Sequence, residues 1–340
     1  MRVLLWVVAV MVLVLGVMPA LGEDAKKMKV GLMVVGSTND GGWNQLAKDS
    51  LDAFAKQTGA QVAVRQNVSK DQAAAAIRQF DSRGFDLVIC HGYEYLEVVR
   101  ELSDPAKAKG GAVKVKLAVS GGDVDSPHFQ SLLYDLGGSS YQLGIIAAKT
   151  SKTGKLGFVG GAPFPTVTVM KRGFEAGAKS VNPNVTVAEQ YTGWDDPAKA
   201  KRQTEAFIEQ GIDVVMQNVD AASRGVFEAV KEYNAKGDKK FTVYTFGANS
   251  DQNGNTVAGD FTLASAVIRM DEAFARVLKD VQEGKFKGGV IKEDLASGVS
   301  VTVINPKLKG NVISDETMKL VEEAGKKLSA GEIKIPDEKK

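Results

Sequence analysis

The sequence predicts an α/β fold of two similar lobes, each a doubly wound parallel sheet, joined by a hinge. Two observations carry that expectation. Strand-like and helix-like segments alternate from Lys29 onward, the rhythm of a parallel sheet with helices on both faces. The rhythm then returns: Lys29-Val30-Gly31-Leu32 is echoed by Lys155-Leu156-Gly157-Phe158, 126 residues later. Gly84-Phe85-Asp86-Leu87-Val88-Ile89 is echoed by Gly211-Ile212-Asp213-Val214-Val215-Met216, 127 residues later. Two matches at nearly one spacing mark a duplicated unit.

The elements follow in order. Residues 30–35 are apolar and β-prone, and 43–57 read as a helix with Leu46, Ser50, Leu51 and Phe54 near one face. Residues 62–64 make a short strand, 72–80 an Ala-rich helix, and 87–90 a uniformly apolar, buried strand. Each Gly-x-Asp follows an Ala-rich helix, at 71–83 and 197–210, so Gly84 and Gly211 are read as helix C-caps, where glycine tolerates a left-handed backbone.

Composition excludes several functions. With 43 Lys+Arg against 41 Asp+Glu, the net charge of +2 leaves no basic excess for nucleic acid. A single cysteine, Cys90, excludes an internal disulfide and a cysteine-rich zinc site, and two histidines argue against a histidine metal centre. Gly36 to Gly42 is not a phosphate loop, since no Gly-Lys-Ser/Thr follows. Cys90 and His91 are no nucleophile–base pair, because neighbours on a strand point to opposite faces. His128 is read as an ordinary strand residue, Lys107, Lys109, Lys114 and Lys116 as a solvated loop and edge strand, and residues 334–340 as a frayed tail.

The N-terminus reads as an address. Met1-Arg2 precedes thirteen uncharged residues, Val3 to Leu15, and Ala20-Leu21-Gly22 gives a small-x-small cut. This is the pattern of a secretory signal peptide over 1–22, with the mature chain starting at Glu23. No cysteine stands at the cut to take a lipid, so a soluble, periplasmic protein is expected.

Ligands of doubly wound sheets sit beyond the carboxyl ends of the strands. Two facing lobes therefore present a cleft lined by strand-end loops. The first lobe offers residues 36–44, 91–94 and 120–123; the second offers 160–164, 193–196, 218–220 and 247–252. Aromatic rings beside Asn and Asp suit a flat, hydrogen-bonding ligand. Trp43 is read as a stacking ring, with stapling of its helix as the alternative. Asn39 and Asp40 combine helix capping with ligand contact. Asn44 offers both an amide donor and an acceptor, and Tyr93 an aromatic wall. Phe164 and Trp194 are the second-lobe aromatics, Trp194 otherwise covering the helix that starts at Pro197. Asp196 is read as that helix's N-cap. Asn218 and Asp220 end a buried strand and face the ligand, and Asn249 and Asp251 stand in the last loop.

These residues resemble the basic membrane protein (BMP) family of solute-binding proteins, best known as purine nucleoside receptors of ABC transporters. Asp40-Gly41-Gly42-Trp43-Asn44-Gln45 is similar to its D-x-x-[FW]-N-x segment, and residues 157–161 and 173–178 to its second-lobe opening. Residues 194–201 resemble its [FW]-x-D-P-x-K-x-K segment, and Ser250-Asp251-Gln252 its s-D-Q; together the match covers nearly all of 28–330. The resemblance implies a type I periplasmic-binding-protein fold, no catalysis and no cofactor. It also implies a monomer that closes on a purine-like small molecule and delivers it to an ABC permease in the inner membrane. The usual three crossings give hinges near 135–138, 258–262 and 297–301. The lobes are then 28–136 plus 260–299 and 137–259 plus 300–340.

The chain also departs from the nucleoside pattern. Asn249 stands where the family has Asp, Ile268 where it has Lys, and the acidic residue before the Tyr141 helix is missing. Residues 218–223 replace a Gly-rich loop. The resemblance places charged groups at some of these positions against the ribose hydroxyls, so a free nucleobase or another flat heterocycle is expected here. A sugar or signal-molecule receptor of the same fold, and a nucleoside-processing enzyme, are the alternatives; no acid–base–nucleophile constellation is recognisable for the latter.

Overall fold

A computed structural model describes residues 27–337. The leader read over 1–22 and the last three residues of the tail lie outside the described residues. The first sheet holds β1 (Lys29–Val34), β2 (Gln61–Arg65), β3 (Leu87–His91), β4 (Lys116–Ser120), β5 (Gln130–Tyr134) and β11 (Gly289–Glu293). The second holds β6 (Lys155–Gly160), β7 (Thr186–Tyr191), β8 (Val214–Asn218), β9 (Tyr244–Asn249), β10 (Thr262–Ile268) and β12 (Ser300–Ile304). Their spatial orders, β11-β5-β4-β3-β1-β2 and β12-β10-β9-β8-β6-β7, superpose strand for strand. The one difference is that β11 joins β5 in parallel while β12 joins β10 antiparallel.

The first sheet is clothed by α1 (Trp43–Thr58), α2 (Lys70–Ser82), α3 (Leu96–Ser103) and α8 (Met270–Gln282); α8 packs on α1. The second is clothed by α4 (Gly137–Thr150), α5 (Pro165–Val181), α6 (Pro197–Glu209), α7 (Ser223–Asn234) and α9 (Asp315–Ser329). Among the described residues no helix is long and apolar enough to cross a membrane.

The sequence repeat has a physical cause in each part. A Cβ on Gly31 would lie 2.9 Å from the Phe80 ring, and one on Gly157 would lie 2.8 Å from the Phe207 ring. Glycine in the first strand thus makes room for the phenylalanine of the helix that covers it. Gly84 and Gly211 take left-handed φ angles of 68° and 85°. Each ends its helix in a Schellman motif, with Phe85 N–H on the Phe80 carbonyl and Ile212 N–H on the Phe207 carbonyl. The aspartate that follows anchors the start of the sheet: Asp86 accepts the Lys29 N–H at 2.8 Å, and Asp213 accepts those of Lys152 and Thr153.

The chain passes between the sheets after β5, after β10 and after β11. The second crossing lies at Arg269, beyond the expected 258–262: residues 260–268 belong with the second lobe because β10 pairs with β9 and β12. A seven-residue apolar strand says that it is buried and leaves open which sheet buries it. The crossing strands lie side by side, with Asp135 N–H on the Glu293 carbonyl and Arg269 N–H on the Val299 carbonyl. Lys292 ties Asp135 and Asp294 together. Two smaller expectations also change. Lys116 opens an inner strand, paired on both sides, so β4 is no edge. His128 lies in the bend before β5, and its imidazole reaches toward Asp104 at 3.9 Å.

Candidate functional site

The two sets of strand ends face each other and enclose a cavity of about 210 Å³. Eight of the expected residues line it: Trp43, Asn44, Tyr93, Phe164, Trp194, Asn218, Asp220 and Asn249. Ile268, the departure at the end of β10, lines it too. The lobes touch at its edge, where a Cβ on Gly42 would lie 3.3 Å from an Asp220 carboxyl oxygen. The Trp43 backbone N–H points at the same carboxyl, so this contact joins the start of α1 to the end of β8.

Three expected residues lie elsewhere, each for a local reason. Asp40 spends its carboxylate on the turn that opens α1, accepting from the N–H groups of Gly42, Asn44 and Gln45 at 2.9–3.0 Å. It also accepts the Asn44 side-chain amide at 2.8 Å. Asn39 is exposed, its N–H on Ser37. Asp251 is exposed and caps a turn through the Asn253 N–H. Asp196 takes the N-cap role expected of it, accepting the Lys199 N–H at 2.9 Å.

Asn44 gains its orientation from Asp40. The carboxylate only accepts, so the Asn44 Nδ2 must face it. Its Oδ1 is left buried and without a partner, on a residue 5% exposed that lines the cavity. Such an orphaned acceptor is costly in an empty site and is satisfied by a ligand donor. Glycine at 36 gives this amide its space, since a Cβ there would lie 2.9 Å from the Asn44 Nδ2.

Trp43 is set by residues that were not among the expected ligand contacts. Its ring stacks on His91, with centroids 4.0 Å apart and planes 24° apart, and meets Tyr134 edge-on at 5.6 Å. His91 Nε2 lies 3.0 Å from the Trp43 carbonyl, which only accepts, so Nε2 carries the proton. Nδ1 then accepts from Ser120 Oγ at 2.8 Å, and Ser120 accepts from the Tyr134 hydroxyl at 3.0 Å. Burial holds His91 neutral, its pKa lowered to about 3. It also pushes the Tyr134 hydroxyl and the Cys90 thiol well up, so none of the three is charged. Cys90 points away into the other core, as strand alternation requires. The available signal was positional: His91 and Ser120 are the polar residues that end β3 and β4 at the cleft.

The second lobe contributes a polar corner and two rings. Asn249 Nδ2 donates to Asn218 Oδ1 at 3.2 Å and to an Asp220 oxygen at 3.3 Å. An aspartate at 249 would oppose Asp220 there, which accounts for the amide. Asn249 and Asp220 both hold left-handed backbones, φ 64° and 44°, a conformation that non-glycine residues adopt where surroundings impose it. The Asp220 carboxyl opens onto the cavity yet is walled by protein. Burial and then the neighbouring Asp40 charge push its pKa up to about 8. Phe164 stands between Tyr93 of the first lobe, at 5.7 Å, and Trp194, at 6.1 Å. A Cβ on Gly161 would fall 2.2 Å from the Trp194 ring, so that glycine seats the indole.

Two hinged α/β lobes with an aromatic, amide-bearing cavity at their junction define a ligand-binding protein of the periplasmic-binding type. The chain belongs to the Bmp family, the PnrA-like substrate-binding proteins of ABC transporters, whose family model matches residues 27–339. It is 28% identical to the nucleoside-binding protein BmpA of an ABC transporter in Lactococcus lactis, over 74% of each chain. It is 26% identical to a purine-binding protein of Brucella abortus, over 91% of this chain and 83% of the other. The solved solute-binding protein of an ABC transporter system from Aeropyrum pernix shares the fold, with a TM-score of 0.79 at 23% identity, covering 92% of this chain and 94% of that one.

Proposed function

We propose that this chain is the periplasmic receptor of an ABC importer and binds a purine-type heterocycle, the free base at least as tightly as the nucleoside. One observation carries the reading: rings from both lobes converge on a cavity whose buried Asn44 Oδ1 lacks a donor. A purine edge supplies that donor, and its faces supply stacking surface. The relatives named for nucleoside and purine binding support the same class. Closure then follows from contacts that exist only when both lobes hold the ligand, and the closed monomer is the form a permease in the inner membrane would read.

This ranking rests on Ile268 and Asn249. Ile268 offers a ribose hydroxyl no hydrogen bond, and a hydroxyl buried against it would go unsatisfied. The Asn249 amide hydrogens are already given to Asn218 and Asp220. Native mass spectrometry of freshly purified protein identifies any retained ligand. Titration of adenine against adenosine, and guanine against guanosine, should show the base binding at least as tightly. A tenfold preference for the nucleoside, about 1.4 kcal/mol, would show that a ribose site persists in altered form.

Export is proposed on the apolar run Val3 to Leu15 and the small-x-small cut. Protein recovered from the periplasm should begin at Glu23; a membrane-held chain retaining Met1 would overturn this.

A further inference from the structure

We propose that the cleft selects its ring ligand by charge, preferring a cationic aromatic ring to its neutral counterpart and disfavouring an anionic one. This rests on the reading that the cleft takes a flat ring, and adds what that ring carries.

Three features of the cavity point the same way. Five aromatic rings line it, Trp43, Tyr93, Tyr134, Phe164 and Trp194. Their faces are electron-rich, and several around one space make the usual cage for an organic cation. Three carboxyl groups also line it, Glu94, Asp195 and Asp220, and among the described residues none of the three is ion-paired. No Lys, Arg or His is among the described residues at the cavity wall. His91, one layer behind Trp43, is neutral and has both ring nitrogens occupied. The third feature is independent of charge: the Asn44 Oδ1 is buried, unpartnered and fixed as an acceptor by Asp40. It asks the ligand for a donor or for positive charge, and an acceptor-only anionic group such as a carboxylate supplies neither.

Asp220 is the group best placed to read that charge. It is walled by protein, it faces Asp40 from the first lobe and Asp195 from its own, and Glu94 lines the same cavity. Closing the lobes over it therefore favours its protonated form unless a positive charge is enclosed with it. A cation removes that cost and a neutral ring does not. Glu94 folds over Gly92 at the wall, where a Cβ would lie 2.8 Å from its Oε2, and Asp195 stands at the exposed rim. Carboxyl groups thus run from the mouth of the cleft to its interior, and the innermost, Asp220, ionises most readily when a cation is enclosed beside it. Ile268, at the end of β10, brings no charge to offset them.

Two sets of rings of matched shape test this by calorimetry on the purified protein at pH 6. One set is nicotinate, nicotinamide and 1-methylnicotinamide (anion, neutral, cation). The other is guanosine and 7-methylguanosine (neutral and cationic at this pH), with adenine as a further neutral ring. In whichever size binds, the cation should bind at least tenfold more tightly than the neutral ring, with nicotinate weakest. Asp220→Asn should shrink the cation-to-neutral affinity ratio several-fold, whatever it does to either affinity alone. A neutral ring that binds as tightly as its cation in the wild-type protein overturns the charge selection and leaves the ring-binding reading standing. Failure of every ring in both sizes to bind overturns both.

Discussion

Gly177→Ala should lower the unfolding free energy by about 2 kcal/mol or more, the net of two opposed effects. Helices α4 and α5 cross backbone against backbone. A Cβ at 177 would lie 1.9 Å from the Tyr141 carbonyl oxygen, and one at Gly173 would lie 2.1 Å from that of Gly137. On the other helix, a Cβ at Gly144 would lie 2.0 Å from the Phe174 carbonyl oxygen. The atoms in the way are main-chain atoms within helices, with no side chain to swing aside, so the helices must separate. Separation opens the packing of Leu143, Ile146, Phe174 and Ala178, which are all buried in one core. Overpacking a tight core costs about 1–3 kcal/mol and occasionally more; contact with rigid backbone belongs at the upper end. Alanine returns up to about 1 kcal/mol through its better helix propensity. Chemical denaturation of the two proteins measures the difference. Equal midpoints and slopes would show that α4 and α5 are not in such close contact. Because α4 begins directly after the first crossing, a stable variant with separated helices should also show altered ligand-driven closure.

The repeat shows how far the sequence reveals the fold. Gly31 with Phe80, Gly157 with Phe207, and the two Gly-x-Asp turns each work through contacts confined to one copy of the duplicated β-α-β-α unit. The motif therefore states the structure wherever it recurs. Assigning β10 to a lobe is a different matter, since Thr262–Ile268 is apolar enough for either sheet and only pairing with β9 and β12 decides. The candidate site divides in the same way. That ligand-facing residues lie in strand-end loops follows from topology. Which side chain in a loop faces inward depends on what else in the loop needs hydrogen bonds. Asp40 lies next to the cleft, but four donors at the start of α1 claim its carboxylate. Asp251 is claimed by its own turn. His91, Ser120 and Tyr134 come from three neighbouring strands, and only their spatial adjacency reveals them as one chain of hydrogen bonds behind Trp43.

That chain shapes the expected result at Trp43 itself. Trp43→Ala should weaken ligand binding by about 1–3 kcal/mol, between severalfold and a hundredfold or so, the usual contribution of one aromatic stacked on a base. The indole is braced on one face by His91 and at its edge by Tyr134. A Cβ on Gly121 would lie 3.3 Å from it, so the ring has little room to turn. A ring held this firmly gives stacking at low entropic cost, because the ligand need not freeze it. Removing it also leaves the neutral imidazole of His91 nearer the cavity, a poorer and smaller surface. Trp43→Phe should recover part of the loss, since a ring remains to stack. Calorimetry with the ligand identified by mass spectrometry, or with adenine, separates the outcomes. An unchanged affinity in a folded Trp43→Ala protein would mean that the ring only staples α1 to the sheet, and the stacking surface would then have to come from Tyr93, Phe164 and Trp194 across the cleft.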